Sequence, residues 1–260
     1  MVRIITFNAN GIRSALQKGF FQWFEKQDAD ILCIQELKAQ LPDMPEEIRR
    51  LPGYQAHFHC AEKKGYSGCA LYSRIPVRRW LTGIGLEEFD REGRFVAADI
   101  GACLVASAYF PSGTSGEERQ EAKYRFLAAM EGYLEDLRRE SREVILCGDL
   151  NIAHTEKDLC NWKGNLRHSG FLPREREWVT KMLEQYGWKD VFRMLDPRPG
   201  QYTWWSQRGR AREKNVGWRI DYQLATPSIA GCACGASVYS AEKFSDHAPL
   251  TVDYDMTSAQ

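Results

Sequence analysis

Short apolar runs recur along this chain, and several are bounded at one end by acids, amides or a histidine. Runs at 2–8, 29–36, 55–60, 67–73, 94–100, 103–109, 143–149, 201–206, 218–225 and 248–254 have the length and residue preferences of strands. Runs such as Val144-Ile145-Leu146-Cys147 are apolar on both faces, which predicts a sheet covered on both sides. Helical spacing appears between them. Residues 15–26 place Leu16, Phe20, Trp23 and Phe24 on one face. Residues 117–139 do the same with Leu127, Met130, Leu134 and Leu137, after an acidic first turn at Glu117 and Glu118 that suits the helix dipole. A third helix is expected to begin after Pro173 and run through Val179, Met182 and Leu183. No repeat, low-complexity tract or Pro/Ser-rich linker divides the chain. The pattern therefore predicts one α/β domain over residues 1–257, with 258–260 as a short tail.

The polar strand ends carry the chemistry. They are Asn8 and Asn10 after the first run, Glu36 and Lys38 after the second, Asp149 and Asn151 after 143–149, Asp221 within 218–225, and Asp246-His247 just before the last. Charge at strand ends points to a site along a sheet edge. Carboxylates, amides and one imidazole suit a hard divalent cation and a phosphate ester. Glu36 is a good hard-metal ligand, and Lys38 can offset nearby negative charge. Asp149 and Asn151 stand two residues apart, so both can face one side of an extended segment. His247 can donate to a phosphoryl oxygen or act as acid or base, with Asp221 orienting its other nitrogen. Each piece alone has a plainer reading as a turn, a cap or a surface hydrogen bond, and His57, His59 and His154 read as structural. The repetition of one chemistry at several strand ends favours a site.

Composition narrows the class. The 260 residues are 43% hydrophobic and 27% charged with zero formal net charge, so a packed core is expected and any polyanion footprint must be local. Arg208, Arg210, Arg212, Lys214 and Arg219, interleaved with Trp204, Trp205 and Trp218, form the one basic and aromatic cluster. No run approaches the ~20 apolar residues that span a bilayer, and the N-terminus enters a strand at once, without signal-peptide architecture. Eight cysteines spread through apolar runs suit buried thiols in a reducing compartment. Cys232 and Cys234 lack a second pair that would make a metal site.

Seven blocks together carry a family resemblance. They are Phe7-Asn8-Ala9-Asn10-Gly11-Ile12-Arg13, Ile34-Gln35-Glu36-Leu37-Lys38, Gly65-Tyr66-Ser67-Gly68, Tyr109-Phe110-Pro111, Gly148-Asp149-Leu150-Asn151-Ile152-Ala153-His154, Asn215-Val216-Gly217-Trp218-Arg219-Ile220-Asp221-Tyr222 and Ser245-Asp246-His247-Ala248-Pro249-Leu250. In order and spacing, from residue 3 to about 255, they resemble the exonuclease III family of Mg²⁺-dependent apurinic/apyrimidinic (AP) endonucleases. The resemblance implies a DNase I-like fold: a four-layer α/β sandwich of two packed mixed β-sheets flanked by helices. It implies Mg²⁺, with Mn²⁺ as substitute, held by Glu36 with Asn8, Asn10 and Asp246. It makes Asp149 the residue that orients or deprotonates the attacking water, and Asn151 its support and a phosphate contact. His247 becomes the phosphate-binding histidine with Asp221 as its partner, and Tyr109 lies near the leaving group. Asp246 also matches an acid implicated in leaving-group protonation. Trp204, Trp218 and Ile220 match the apolar pocket for a flipped, baseless sugar.

By the same resemblance the partner is double-stranded DNA with abasic sites or 3′-blocked ends. The residues expected to meet it are Ser112, His168 and Arg208 from the family pattern, and Lys38, Lys163, Arg167 and Arg219 from their charge beside these segments. Three positions depart from the family pattern. Ser112 replaces an Asn or Gln, His168 stands in a DNA-contacting loop, and Arg208 stands where some relatives insert an apolar side chain. The implied enzyme is a monomeric, cytoplasmic repair phosphodiesterase, nucleoid-associated in a prokaryote. It cleaves 5′ to abasic sites, with added 3′-phosphatase, 3′-phosphodiesterase and 3′→5′ exonuclease activity. The rivals are a specialised 3′-phosphatase/exonuclease, a lipid or inositol phosphodiesterase and an inactive DNA-binding scaffold. Ser112 and His168 sustain the first. The tryptophan pocket and the intact set of site residues argue against the other two.

Overall fold

The computed structural model of the chain describes residues 1–140 and 142–256, so the tail expected at 258–260 lies outside the described residues. Strands are numbered along the chain. One six-stranded sheet runs in the order β13 (Ala233–Val238), β14 (Leu250–Tyr254), β1 (Val2–Asn8), β2 (Ile31–Gln35), β4 (Cys69–Ser73), β3 (Gln55–His59). The other runs β5 (Arg79–Thr82), β6 (Phe95–Asp99), β7 (Leu104–Tyr109), β8 (Val144–Asp149), β12 (Asp221–Ala225), β9 (Lys189–Asp190). Both sheets are mixed: β1 pairs parallel with β2 and β7 parallel with β8, while the other pairings are antiparallel. A two-stranded ribbon, β10 (Trp204–Trp205) with β11 (Gly217–Trp218), stands apart from the sheets.

Side-chain alternation sorts each strand into two layers. Ile4, Ile31, Cys33, Val105, Ile145, Cys147 and Ala225 meet in the core between the sheets. Their neighbours Ile5, Phe7, Leu32 and Ile34 face outward onto the helices Ile12–Gln17 and Phe20–Glu25. On the opposite side, Ala106, Val144, Leu146, Tyr222 and Leu224 pack under the helices Glu117–Arg139 and Pro173–Glu184. The result is the expected four layers, with both sheets buried on both faces. Apolar runs without alternation follow from this double cover.

Some elements differ from the sequence reading. The helix expected over 15–26 is two short helices, because Gly19 takes a left-handed backbone (φ 85°) between them. The run 201–206 contracts to Trp204–Trp205, and 218–225 is interrupted at Arg219 and Ile220. The strands β5, β9 and β13 do not stand out in the sequence. All three are sheet edges, where one side of the ladder is unpaired and the apolar signal fades.

Gly148 shows how closely the strands before the site are fitted. It pairs with Ala108 across β7 and β8. A Cβ there would lie 1.9 Å from the Ala108 carbonyl oxygen, a backbone atom that cannot move aside cheaply. Gly148→Ala is expected to cost on the order of 3 kcal/mol, the upper range for overpacking, measured by urea unfolding. An unchanged midpoint would show that the two strands separate freely here.

Candidate active site

The parity that builds the inner core also builds the site. On β1, Ile4 faces the opposite sheet, so Asn8 at the strand end does too; the same holds for Cys147 and Asp149 on β8, and for Ala225 and Asp221 on β12. The sheets are close enough for Asn8 Nδ2 to donate to Asp149 Oδ2 at 2.9 Å, joining positions 141 residues apart. Asp149 pairs directly with Asp221 in the β8–β12 register. After these strand ends the chain turns sharply. Asn10, Glu36, Lys38 and Asn151 all have positive φ, between 42° and 59°, which non-glycine residues seldom adopt. Such strain gathers where surrounding structure over-determines a functional geometry.

Three buried ionisable groups form the floor. His247 Nδ1 lies 2.9 Å from Asp221 Oδ2, and its Nε2 lies 3.8 Å from Asp149 Oδ2. Burial alone would discharge the imidazole, but Asp221 and then Asp149 outweigh it and push His247 up to about 10. The ring is thus an imidazolium, with Nδ1–H donating to Asp221. Burial pushes the Asp149 carboxyl up to about 7, against the pull of His247. Asp149 also accepts from the Asn151 backbone N–H at 2.8 Å. The Asn151 side-chain amide donates to the Phe110 carbonyl at 2.9 Å and to Asp149 Oδ2 at 3.2 Å. Both of its hydrogens are engaged, so Asn151 orients Asp149; the expected phosphate contact from this amide has no hydrogen left to make it.

Beside this floor the donors are oxygens. Lys38 Nζ lies 2.8 Å from Glu36 Oε1 and also donates to Asn10 Oδ1, so an ammonium group rests between two expected metal ligands. Asn10 Nδ2 donates to Asp246 Oδ1 at 2.9 Å, and the Trp204 indole donates to Asp246 Oδ2 at 3.1 Å. Burial raises Asp246, but His247 and the donors Asn10, Trp204 and Ser245 prevail and hold it below the usual carboxylate range. The Glu36 carboxylate and the Asn10 amide oxygen share the Lys38 cation, Asp246 is held to the same Asn10, and all of them line one cleft; this oxygen-rich set fits a hard divalent ion. Asn8 does not belong with them. It is fully buried, its Oδ1 accepts from Asn10 N and its Nδ2 is spent on Asp149, so its expected place among the metal ligands is corrected to an orienting one. The ligand atoms of Asp149, Asp221 and His247 also lie within 4.8 Å of one another. There the charged imidazolium already supplies the positive charge that a metal would bring. Tyr109 completes this side: burial, with Glu36 and Asp149 nearby, raises its phenol well above the ordinary value, so it stays a neutral donor.

The groups open into a cleft of about 730 Å³. Its apolar wall is Trp204, Trp218 and Ile220, with the two indoles edge to face at 6.4 Å. Ser112, His168, Arg208 and Lys214 also line it. Lys163 and Arg167 are exposed on the segment before His168, outside the cleft wall. Arg219 corrects the sequence reading. Its side chain is 1% exposed and faces away from the cleft, bound to Asp158 at 2.8 Å and Asp190 at 2.6 Å, so it cannot meet DNA. The alternation that turns Trp218 and Ile220 toward the cleft turns Arg219 inward. Arg212 likewise spends its guanidinium on the carbonyls of Ser240, Glu242 and Ser245. Thr203 escaped the sequence reading. Its hydroxyl oxygen accepts from the backbone N–H groups of Ile220 and Asp221 at 3.1 Å each, fixing the turn that presents Asp221. An isolated threonine carries no sequence signal for that role.

Asp221 is the main support of the His247 charge, so Asp221→Asn is expected to lower the His247 pKa from about 10 toward the ordinary imidazole value. An NMR titration of the ring nitrogens would show the shift, and an unchanged high pKa would assign the charge to Asp149 instead.

Comparison with known proteins agrees with this geometry. Residues 5–247 match the model of the Endonuclease/Exonuclease/phosphatase family. The exodeoxyribonuclease of Bacillus subtilis (strain 168) is 38% identical over 254 residues, covering 96% of this chain and 98% of that protein. An AP endonuclease from Archaeoglobus fulgidus superposes with a TM-score of 0.89 at 31% identity, covering 98% of this chain and 100% of that one. The 3′-5′ exonuclease NExo from Neisseria meningitidis also reaches 0.89, at 26% identity and the same coverage. The chain belongs to the endonuclease/exonuclease/phosphatase family and is a phosphodiesterase of the exodeoxyribonuclease III type.

Proposed function

We propose that this enzyme incises duplex DNA on the 5′ side of abasic sites, leaving a 3′-hydroxyl and a 5′-deoxyribose phosphate. The observation that carries the reading is the join between two features: the buried Asp149–His247–Asp221 cluster opens directly onto the pocket of Trp204, Trp218 and Ile220. A nucleotide without a base leaves the stack at little cost, and an apolar pocket beside the reacting phosphate selects it. The tryptophan walls support a substrate with a sugar to bury over a bare phosphate monoester.

Asp149 accepts the proton of the attacking water, held in place by Asn8 and Asn151. The imidazolium of His247 donates from Nε2 to a phosphoryl oxygen as negative charge builds there. The water oxygen bonds to phosphorus as the bond to the 3′-oxygen breaks, and Tyr109, kept neutral beside the leaving group, donates a proton to that oxygen, which departs as the 3′-hydroxyl. Asp246 is held ionised, which favours cation binding over protonation of the leaving group. Glu36, Asn10 and Asp246 would hold Mg²⁺, or Mn²⁺ in its place, and that ion when bound supplies Lewis-acid neutralisation of phosphate charge. Lys38, Arg208 and Lys214 at the cleft supply sequence-independent attraction for the DNA backbone, and the exposed Lys163 and Arg167 extend it. All eight cysteines are free, and among the described residues no helix is long and apolar enough to cross a membrane; we place the enzyme in the cytoplasm, acting as a monomer.

The likeness to NExo and the position of His168 on the cleft wall favour a second reading, a 3′-phosphatase/exonuclease with little internal incision. One assay separates the two: a duplex with an internal abasic site against a nicked duplex with a 3′-phosphate, each with Mg²⁺ and with EDTA. The proposal expects efficient Mg²⁺-dependent incision of the first. Incision that is weak in the wild type but selectively raised by His168→Gly would establish the second reading.

Glu36→Gln is expected to raise the Mg²⁺ concentration needed for half activity, since an amide is a poorer ligand for a hard dication; an unchanged titration would remove Glu36 from the metal site. Asp149→Asn is expected to abolish the chemical step while DNA binding persists, seen as single-turnover rate against measured affinity. The base works ionised, and burial places its pKa near 7, so kcat/KM is expected to rise with pH through about 7 and to fall below it. A flat profile from pH 5 to 8 would contradict the assignment of Asp149.

A further inference from the structure

A buried ion pair lies beneath the site, and none of the proposed chemistry uses it. Lys123, on the helix Glu117–Arg139, and Glu175, on the helix Pro173–Glu184, are both 0% exposed and lie 2.6 Å apart. Two facing helices do not need a charged pair to pack, because apolar residues of similar volume serve as well or better. The partners on either side are more informative. Lys123 Nζ also donates to the Asn151 carbonyl at 2.7 Å. Glu175 Oε2 accepts from the backbone N–H groups of Gly170 at 2.7 Å and Leu172 at 3.0 Å. Its Oε1 accepts from Gln120 at 3.0 Å and the Ser169 hydroxyl at 3.3 Å.

The two ends of this pair hold two halves of the cleft. Asn151 sits in a left-handed backbone (φ 53°), and its side chain orients Asp149. Gly170 is also left-handed (φ 94°), and a Cβ there would lie 3.2 Å from both the Asn151 carbonyl and the Trp218 ring. The Gly170 carbonyl in turn accepts from Ala153 N at 2.8 Å. The Gly170 turn therefore lies against both Asn151 and Trp218, and one ammonium–carboxylate pair holds the Asn151 carbonyl at one end and the Gly170 amide at the other.

We propose that Lys123 and Glu175 are positioning residues for the reaction: together they fix the distance between Asn151, which aims Asp149, and the Gly170 turn, which backs the Trp218 wall of the pocket. Neither touches the reacting atoms. They act by keeping the water-activating carboxylate and the sugar pocket in one relative position, a matter in which an error of about 1 Å can cost ~10²-fold in rate. The proposal rests on the abasic-site reading above.

Removing one partner alone leaves an uncompensated buried charge and can unfold the protein, so the test uses the double variant Lys123→Met/Glu175→Gln. It keeps side-chain volume and removes both charges. The expected result is a melting midpoint near that of the wild type, DNA affinity nearly unchanged, and a single-turnover rate on abasic duplex at saturating enzyme that falls about tenfold or more. A folded double variant whose rate stays within about twofold of wild type would overturn the proposal and leave the pair a packing element. Should the double variant not fold, Glu175→Asp decides. It keeps the ion pair's charge but withdraws the carboxylate from the Gly170 and Leu172 amides. A lowered rate at an unchanged melting midpoint supports the proposal, and an unchanged rate overturns it. Both comparisons require an active wild type. A wild type that cannot incise abasic duplex refutes the proposed function itself, whereas an active wild type with unaffected variants refutes only the role of this pair.

Discussion

Everything at this site depends on the face-to-face packing of two sheets whose inner side chains change from apolar to polar at one edge. Between the sheets the layer is isoleucine, valine, cysteine and alanine. Toward the cleft the same inward positions become Thr6, Gln35 and Ser107, hydrogen-bonded to one another across the gap, and then Asn8, Asp149 and Asp221. A strand cannot move one residue in register without turning its whole inner row outward. The apolar core therefore sets the position of the polar edge. The 2.9 Å approach of Asn8 to Asp149 is thus a by-product of burying apolar side chains elsewhere on the same strands.

The cost of charge without water explains how the rest is arranged. Lys123 meets Glu175, and Arg219 meets Asp158 and Asp190, with Arg193 also on Asp158 at 2.6 Å. Removing one partner of the Lys123–Glu175 pair would strand a buried charge at a cost of about 3–5 kcal/mol, whereas the Arg219 cluster keeps a second partner for Arg219 and for Asp158. The cleft is different. There two carboxylates share a single imidazolium, and Asp221 Oδ1 is the one buried carboxylate oxygen among the described residues with no hydrogen-bond partner. Negative charge is thus left in excess beside Glu36 and Asp246, a balance that would favour the divalent cation proposed for the site.

Much of this was legible in the chain. The inner strands are long, apolar and end in acids, so their existence and their polar tips could be read together, and the seven blocks fixed the family. Edge strands such as β5 and β13 were not legible, because Arg79–Thr82 and Ala233–Val238 lack a buried face on the unpaired side. Arg219 was misread as a DNA contact because it lies in a basic, tryptophan-rich segment; its true partners, Asp158 and Asp190, are 61 and 29 residues away. The family resemblance implies Asn8 as a ligand, whereas its burial and its bond to Asp149 make it a brace for that carboxylate. Thr203 and the Lys123–Glu175 pair carry no local signal at all, since their significance comes only from which backbone groups the fold sets before them.

The central claim is that Asp221, His247 and Asp149 work as one charged unit, with Asp221 acting through the imidazolium that faces the phosphate. A double-mutant cycle in single-turnover kinetics on abasic duplex tests it most directly. His247→Asn alone is predicted to slow the reaction by about 10²-fold or more, the scale for one preorganised donor at a charged transition state. Asp221→Asn added to it is predicted to cost little further, because the group it supports is already gone. Strictly multiplicative losses would contradict the account and make the two residues independent.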